Sequence, residues 1–188
     1  ATPASALPLT MLTLRYPATV GRIAIGGTYY YDNIQLVRTV PFVWEDPNTG
    51  KIWQYSGASS LKNSADAGTY CSSLSLPGYA GDWKVPGISD LRSLVSGCEG
   101  TETDGLCGVT DSCTSAETCY RPACAGCEEG EGADDGCYWE IGGGACDQRY
   151  WSSTGPDAGS KWTVGYDRAG VFLSQTSEEL YIRCVGRD

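Results

Sequence analysis

Eight of the ten cysteines lie between residues 98 and 147, and this crowding limits what the chain can become. An even number of cysteines at irregular spacing reads as disulfides formed in an oxidising compartment. The eight are Cys98, Cys107, Cys113, Cys119, Cys124, Cys127, Cys137 and Cys146, while Cys71 and Cys184 stand on either side of the cluster. Cys124-Ala-Gly-Cys127 has the spacing of half a zinc site. Such a site needs a second cysteine pair or a histidine pair, and the chain has no histidine. Disulfides are therefore favoured over metal thiolate, with their pairing left open by the spacing. The missing histidine also removes Ser-His-Asp and Cys-His catalysis and c-type haem attachment. Nothing beside the CxxC looks like the helix start of a redox enzyme.

The same segment carries the charge. Of 23 acidic and 13 basic residues, twelve and one respectively fall within 98–147, so the rest of the chain is nearly neutral. No basic patch is available to displace counterions from a polyanion, which argues against nucleic acid, anionic lipid and sulfated sugar as partners. A solvated acidic face would also keep an extracellular protein in solution. At 188 residues the chain suits one domain with a long insertion. It is long enough to bury a core that disulfides reinforce rather than replace. No stretch approaches the roughly 20 apolar residues that span a bilayer. The start, Ala1-Thr-Pro-Ala-Ser-Ala, lacks the basic and apolar regions of a signal peptide. A mature secreted protein, extracellular or at a cell surface, is expected.

Residues 1–44 read as an N-terminal β extension. Partial alternation over 7–16 predicts a strand, Gly26-Gly27 a hairpin turn between 22–25 and 28–31, and 35–43 a further apolar run. The domain proper is expected over 45–188. Asp46-Pro-Asn-Thr-Gly50 predicts a turn leading into a strand at 51–55. A helix should begin after Asn63, a good N-cap, with Asp66 near the exposed N–H groups. Its apolar face is Ala67, Tyr70, Cys71 and Leu74, and Pro77-Gly78 ends it. A second helix is predicted over 88–95 with Ile88, Leu91, Leu94 and Val95 buried. Residues 98–147 show no sustained period and read as stapled loop. Short closing strands are predicted at 161–166, 171–174 and 180–185, with a turn at Arg168-Ala-Gly170.

Several ordered pieces then carry a resemblance: Thr49-Gly50-Lys51-Ile52-Trp53-Gln54, Tyr70-Cys71, Leu74, Gly78-Tyr79, Asp82-Trp83-Lys84-Val85-Pro86, Leu91-Arg92-Ser93-Leu94, Tyr150-Trp151-Ser152-Ser153 and Arg183-Cys184-Val185. Over about 45–97 and 148–187 the chain resembles the bacterial family that includes the C-terminal domain of collagen-like adhesins, within the C-type-lectin-like superfamily. The family's usual Arg-Leu-Pro-Thr is here Lys84-Val85-Pro86-Gly87, so glycine stands where a helix-capping threonine is customary. The resemblance implies an α+β fold, two helices on a small, mostly antiparallel sheet, interrupted by the disulfide-rich 98–147 insertion. It also implies that Cys71 pairs with Cys184, leaving the insertion cysteines to pair among themselves.

The remaining candidates are binding features. Glu128, Glu129, Glu131, Asp134 and Asp135 form an acidic run, and Asp46-Pro-Asn48-Thr-Gly50 looks like the start of a calcium loop, but neither fits an EF-hand. The Glu-Pro-Asn and Trp-Asn-Asp motifs of sugar-binding C-type lectins are absent. No cofactor is therefore expected, with calcium kept as a candidate ion. A glycosidase would need two carboxylates at a set separation, which the sequence does not display. Trp139, with Tyr138 beside it, is the candidate exposed ligand surface, whereas Trp151 belongs to a shared motif and reads as packing. The strand bearing Leu7, Leu9, Met11, Leu12, Leu14 and Tyr16 is the candidate assembly strand, able to add to its own sheet or a neighbour's edge. The expected function is non-enzymatic surface adhesion or extracellular assembly with self-association. The alternative is a carbohydrate-binding module with a glycan or protein ligand. An oxidase related to the formylglycine-generating enzymes ranks last, because no reactive cysteine pair stands apart.

Overall fold

The computed structural model describes residues 42–77, 79–139, 141 and 146–186. The chain divides after Val40 into two units, and the second is described here. Most of the predicted N-terminal extension lies outside the described residues, including Leu7, Leu9, Met11, Leu12, Leu14 and Tyr16.

Strands β1 (Val43–Glu45) and β2 (Ile52–Gln54) form a hairpin with Trp44 opposite Trp53. Asp46 closes its turn. The carboxylate accepts the Asn48 N–H at 2.9 Å and the Thr49 hydroxyl at 2.5 Å, and the Asp46 carbonyl accepts the Gly50 N–H at 2.7 Å. Gly50 sits at φ +71°, a conformation that a side chain would strain. Helix α1 (Ser64–Ser73) starts as its sequence predicts, with the Asn63 side-chain oxygen accepting the Asp66 N–H at 2.9 Å. It buries Ala67 and Cys71 fully and Tyr70 and Leu74 in part, and it stops short of Pro77.

Strand β3 (Trp83–Lys84) leads into helix α2 (Ile88–Arg92). This helix is shorter than the 88–95 expected because its C-terminal bonds tighten. Leu94 N–H donates to Leu91 and Val95 N–H to Arg92, both three residues back. The expected stripe of Ile88, Leu91, Leu94 and Val95 is nonetheless buried. The insertion holds helix α3 (Ala116–Cys119) and a 3-10 turn at Pro122–Ala125, two short elements that loop-like periodicity did not announce. Strands β4 (Arg149–Trp151), β5 (Ser160–Gly165), β6 (Gly170–Gln175) and β7 (Val185–Gly186) follow.

The strands make two antiparallel sheets rather than one, in the orders β1-β2-β7-β3 and β4-β5-β6. The segment predicted as a strand at 180–185 links them instead of forming one continuous strand. Leu180 bridges Lys62, Tyr181 makes a parallel bridge to Tyr150 of β4, and only Val185 and Gly186 join the first sheet. Alternation along these strands divides the core, because successive side chains point to opposite faces. Tyr150 and Val185 face one cluster with Trp53, Leu91, Trp162 and Val164. Their neighbours Trp151 and Cys184 face the other, with Ala67, Cys71 and Trp83. Trp151 also donates its indole N–H to the Lys62 carbonyl at 2.6 Å, tying the approach to α1 onto β4.

Candidate functional site

The insertion at 98–147 interrupts the frame, and its construction begins with the disulfides. Cys98 is bonded to Cys127, Cys107 to Cys124, Cys113 to Cys119 and Cys137 to Cys146. Cys71 of α1 is bonded to Cys184, across a sequence separation of 113. The two cysteines of the CxxC thus have different partners, and no cysteine is free among the described residues.

Arg92 fastens the insertion to the frame. Position 92 is four residues after Ile88, so helical spacing puts it on the buried face of α2, and it is 1% exposed. Among the described residues no carboxylate accepts its hydrogen bonds. Its guanidinium donates to three insertion carbonyls, those of Thr101 at 2.9 Å, Val109 at 2.5 Å and Glu102 at 2.5 Å. Burial pushes its pKa down, with nearby Asp104 opposing the shift. Charged hydrogen bonds of this kind contribute about 1.5–3 kcal/mol each, and losing the acceptors would leave a buried cation uncompensated. Sequence reading passed over Arg92 as part of a motif, although an arginine at i+4 from Ile88 on an apolar face was a usable signal.

A second tie explains the glycine at position 87. Asp111, from the insertion, accepts the Ser89 N–H at 3.2 Å and the Thr154 hydroxyl at 2.8 Å, and the Asp111 N–H donates to the Ser89 hydroxyl at 3.1 Å. Thr154 in turn accepts the Ile88 N–H at 3.1 Å. Asp90 accepts the Gly87 N–H at 2.8 Å and forms an ion pair with Lys51. The start of α2 is thus capped from a distance. A Cβ on Gly87 would stand 2.4 Å from an Asp111 carboxylate oxygen, in the space a threonine cap would need.

The candidate ligand surface Trp139 and Tyr138 requires correction. Trp139 is 3% and Tyr138 5% exposed, so neither ring is available to a partner. Trp139 packs on Tyr166 at 5.0 Å and Tyr150 at 5.7 Å between ring centroids, with the Arg183 guanidinium 4.5 Å from its own ring. Tyr138 donates its hydroxyl to the Glu128 carbonyl at 2.9 Å. Arg183 has the same strand parity as Tyr181 and Val185, which turns it into this aromatic cluster, where cation–π attraction compensates its burial. Burial pushes the Tyr166 hydroxyl far up and raises that of Tyr150, both opposed by Arg183. The Tyr166 hydroxyl donates to the Leu91 carbonyl at 2.9 Å, binding the cluster to α2. The rings failed as exposed anchors because Tyr138, Trp139 and Ile141 return to the core of the frame, which a loop-like sequence does not reveal.

What faces solvent is different. A cleft of about 490 Å³ opens between the 46–50 turn, the end of α2 and the 99–105 loop, lined by Asn48, Ser96, Glu99, Glu102, Thr103 and Asp104 among others. Beneath it the Thr101 and Glu102 carbonyls turn inward to Arg92. Leu106 is 79% exposed beside the cleft, and Tyr120 is the exposed aromatic of the insertion, lying parallel to buried Trp162. As for calcium, the Asp46 carboxylate is engaged by its own turn. The run from Glu128 to Asp135 is solvent-exposed at each acidic position. Among the described residues no group of three or more acidic or cysteine side chains is arranged to hold a metal ion. Among the same residues no helix is long and apolar enough to cross a membrane.

The frame residues on which the resemblance rested form one folded unit with the insertion built into it. No curated protein and no solved structure gives a match to the chain. Residues 43–186 match the model of one family, and the chain belongs to the Lcl C-terminal domain family.

Proposed function

We propose that this protein is a non-enzymatic extracellular recognition domain of C-type-lectin-like architecture, acting in surface adhesion or as a subunit of an extracellular assembly. One observation carries the reading. The shared motif residues Trp83, Leu91, Trp151 and Cys184 are consumed by the core, whereas part of the insertion, with Leu106, Tyr120 and the acidic run from Glu128 to Asp135, faces solvent on a base fixed by four disulfides and Arg92. A surface ordered in advance loses little conformational entropy on binding, which favours recognition. The contact face in this reading is the solvent-facing part of the insertion, which carries the polar cleft at 99–105, Leu106 and Tyr120. Five disulfides suit the oxidising space outside the cell.

Self-association through residues 7–16, whose sequence predicts a strand, is the assembly half of the proposal. Light scattering after size exclusion should give a mass that rises with concentration for the full chain and falls on deletion of residues 1–16. A monomer at every concentration for the full chain, with no change in the number of copies after deletion, refutes assembly. A glycan array probed with and without calcium tests the alternative, a carbohydrate-binding module. Calcium-dependent retention there would replace adhesion through protein contacts as the better reading.

A further inference from the structure

We propose that the insertion's cystines gate folding: the domain acquires its native core only once Cys98–Cys127 and Cys107–Cys124 have formed, because these bonds complete the carbonyl cradle in which Arg92 is buried. Three observations meet here. Cys98, Cys107 and Cys124 are at most 2% exposed and belong to the main hydrophobic cluster, beside Leu91, Leu94, Trp139 and Tyr166. Their sulfurs therefore sit in core volume rather than on a decorative loop. The carbonyls that hold Arg92 belong to Thr101, Glu102 and Val109, and the first two lie between Cys98 and Cys107. That stretch is anchored at one end to Cys127 and at the other to Cys124. Finally, α2 spans only Ile88–Arg92, too short to persist without tertiary support, and Asp111 of the insertion helps cap it.

With the cysteines reduced, the 98–109 loop regains its freedom and its carbonyls are no longer held at the guanidinium. Arg92 then either stays buried with its donors unmet or withdraws to water, taking α2 and its neighbours Ile88 and Leu91 out of the core. The uncompensated charge turns loop opening into loss of the core, where an apolar residue at 92 would only lose contacts. Each bond forms by two thiol–disulfide exchanges with an external small-molecule disulfide. One cysteine thiolate attacks a sulfur of that disulfide and releases a thiolate, and the second cysteine thiolate displaces the other half. Two electrons pass to the reagent, which leaves as two thiols carrying the protons of the two cysteines. A chain of this design stays unfolded in a reducing compartment and closes on reaching an oxidising one.

The test uses the full chain in graded dithiothreitol. Exposed thiols are trapped with iodoacetamide and located by peptide mass mapping, and near-ultraviolet circular dichroism reports the packed Trp and Tyr rings. The native signal should vanish in species lacking Cys98–Cys127 and Cys107–Cys124. A native spectrum in such species overturns the proposal. A variant with Cys98, Cys107, Cys124 and Cys127 all changed to Ser should show no native near-ultraviolet spectrum and no cooperative unfolding although Cys71–Cys184 is intact; native-like behaviour again overturns it. The Cys113→Ser/Cys119→Ser variant should retain the native spectrum, and its collapse would show that the effect is not specific to the Arg92 cradle. In the oxidised chain, Arg92→Met should make the 98–111 segment at least tenfold more susceptible to limited proteolysis. Unchanged susceptibility would remove Arg92 from the mechanism.

Discussion

Gly87 and Asp111 should behave as an exchanged pair. The backbone at Gly87, φ −69° and ψ 167°, is open to any residue, so conformation does not require glycine there. What excludes a side chain is Asp111, whose carboxylate atoms would lie 2.4–2.8 Å from a new Cβ. Gly87→Thr therefore drives the Asp111 carboxylate away. It forfeits the bond from Ser89 N–H, a cap contribution of ~1 kcal/mol, and the bond from the Thr154 hydroxyl, about 0.5–1.5 kcal/mol. Against this, the threonine hydroxyl can cap α2 locally, and replacing glycine narrows the unfolded ensemble by roughly 0.4–1 kcal/mol. The single variant should be neutral to ~1 kcal/mol destabilised. In an Asp111→Ala background nothing remains to displace, and the same substitution should stabilise by about 1–2 kcal/mol. Equilibrium denaturation in guanidinium chloride with all disulfides intact measures both backgrounds, and equal m-values confirm comparable unfolding. A coupling free energy of roughly 1.5–2.5 kcal/mol between the sites is expected, the sum of the two forfeited bonds. Additivity to within about 0.5 kcal/mol, the behaviour of independent positions, would refute the account of a cap moved from the helix to the insertion.

Three further outcomes follow from the packing. Replacing Cys71 and Cys184 together by Ser opens a loop of sequence separation 113 and should cost ~4–5 kcal/mol on the chain-entropy account, read from the denaturation midpoint; a loss below about 1 kcal/mol would contradict it. Trp139→Ala should cost about 3–5 kcal/mol and abolish the near-ultraviolet signal of the ring cluster, whereas an exposed ligand anchor would leave stability unchanged. Tyr150 and Tyr166 have hydroxyl pKa values raised by burial. Their contribution is complete below the unfolded-state pKa of about 10 and is lost as pH climbs above it, since only the unfolded chain ionises readily there. Alkaline unfolding should coincide with a cooperative rise in tyrosinate absorbance, and ionisation well before unfolding would refute their burial.

Much of the frame was legible because it rests on local rules. Asn63 capped its helix, the turn at 46–50 closed on Asp46, and the stripe from Ile88 to Val95 was buried, each through contacts among residues a few positions apart. The hairpin of β5 and β6 was legible for the same reason, with its turn at Ala169. The insertion was misjudged where its meaning depended on distant residues. Trp139 and Tyr138 sit in an acidic, glycine-rich context that reads as surface, yet Trp139 meets Tyr150, Tyr166 and Arg183. Arg92 stood only as part of a shared motif, and its role emerged from the acceptors Thr101, Glu102 and Val109.

By itself, the amino-acid sequence determined the disulfide-rich, acidic character of the insertion, the local elements and the exclusion of histidine-based chemistry. These depend on composition and on periodicities that operate within a few residues. Tertiary structure alone decided which insertion cysteines pair, that two sheets form where one was expected, that Asp111 occupies the place of a missing cap, and that an arginine on the buried face of α2 is bound by carbonyls. The physical reason is common to all four. Each satisfies a charge, a backbone donor or an apolar surface with groups brought near only by folding, so the pairing has no trace in spacing along the chain.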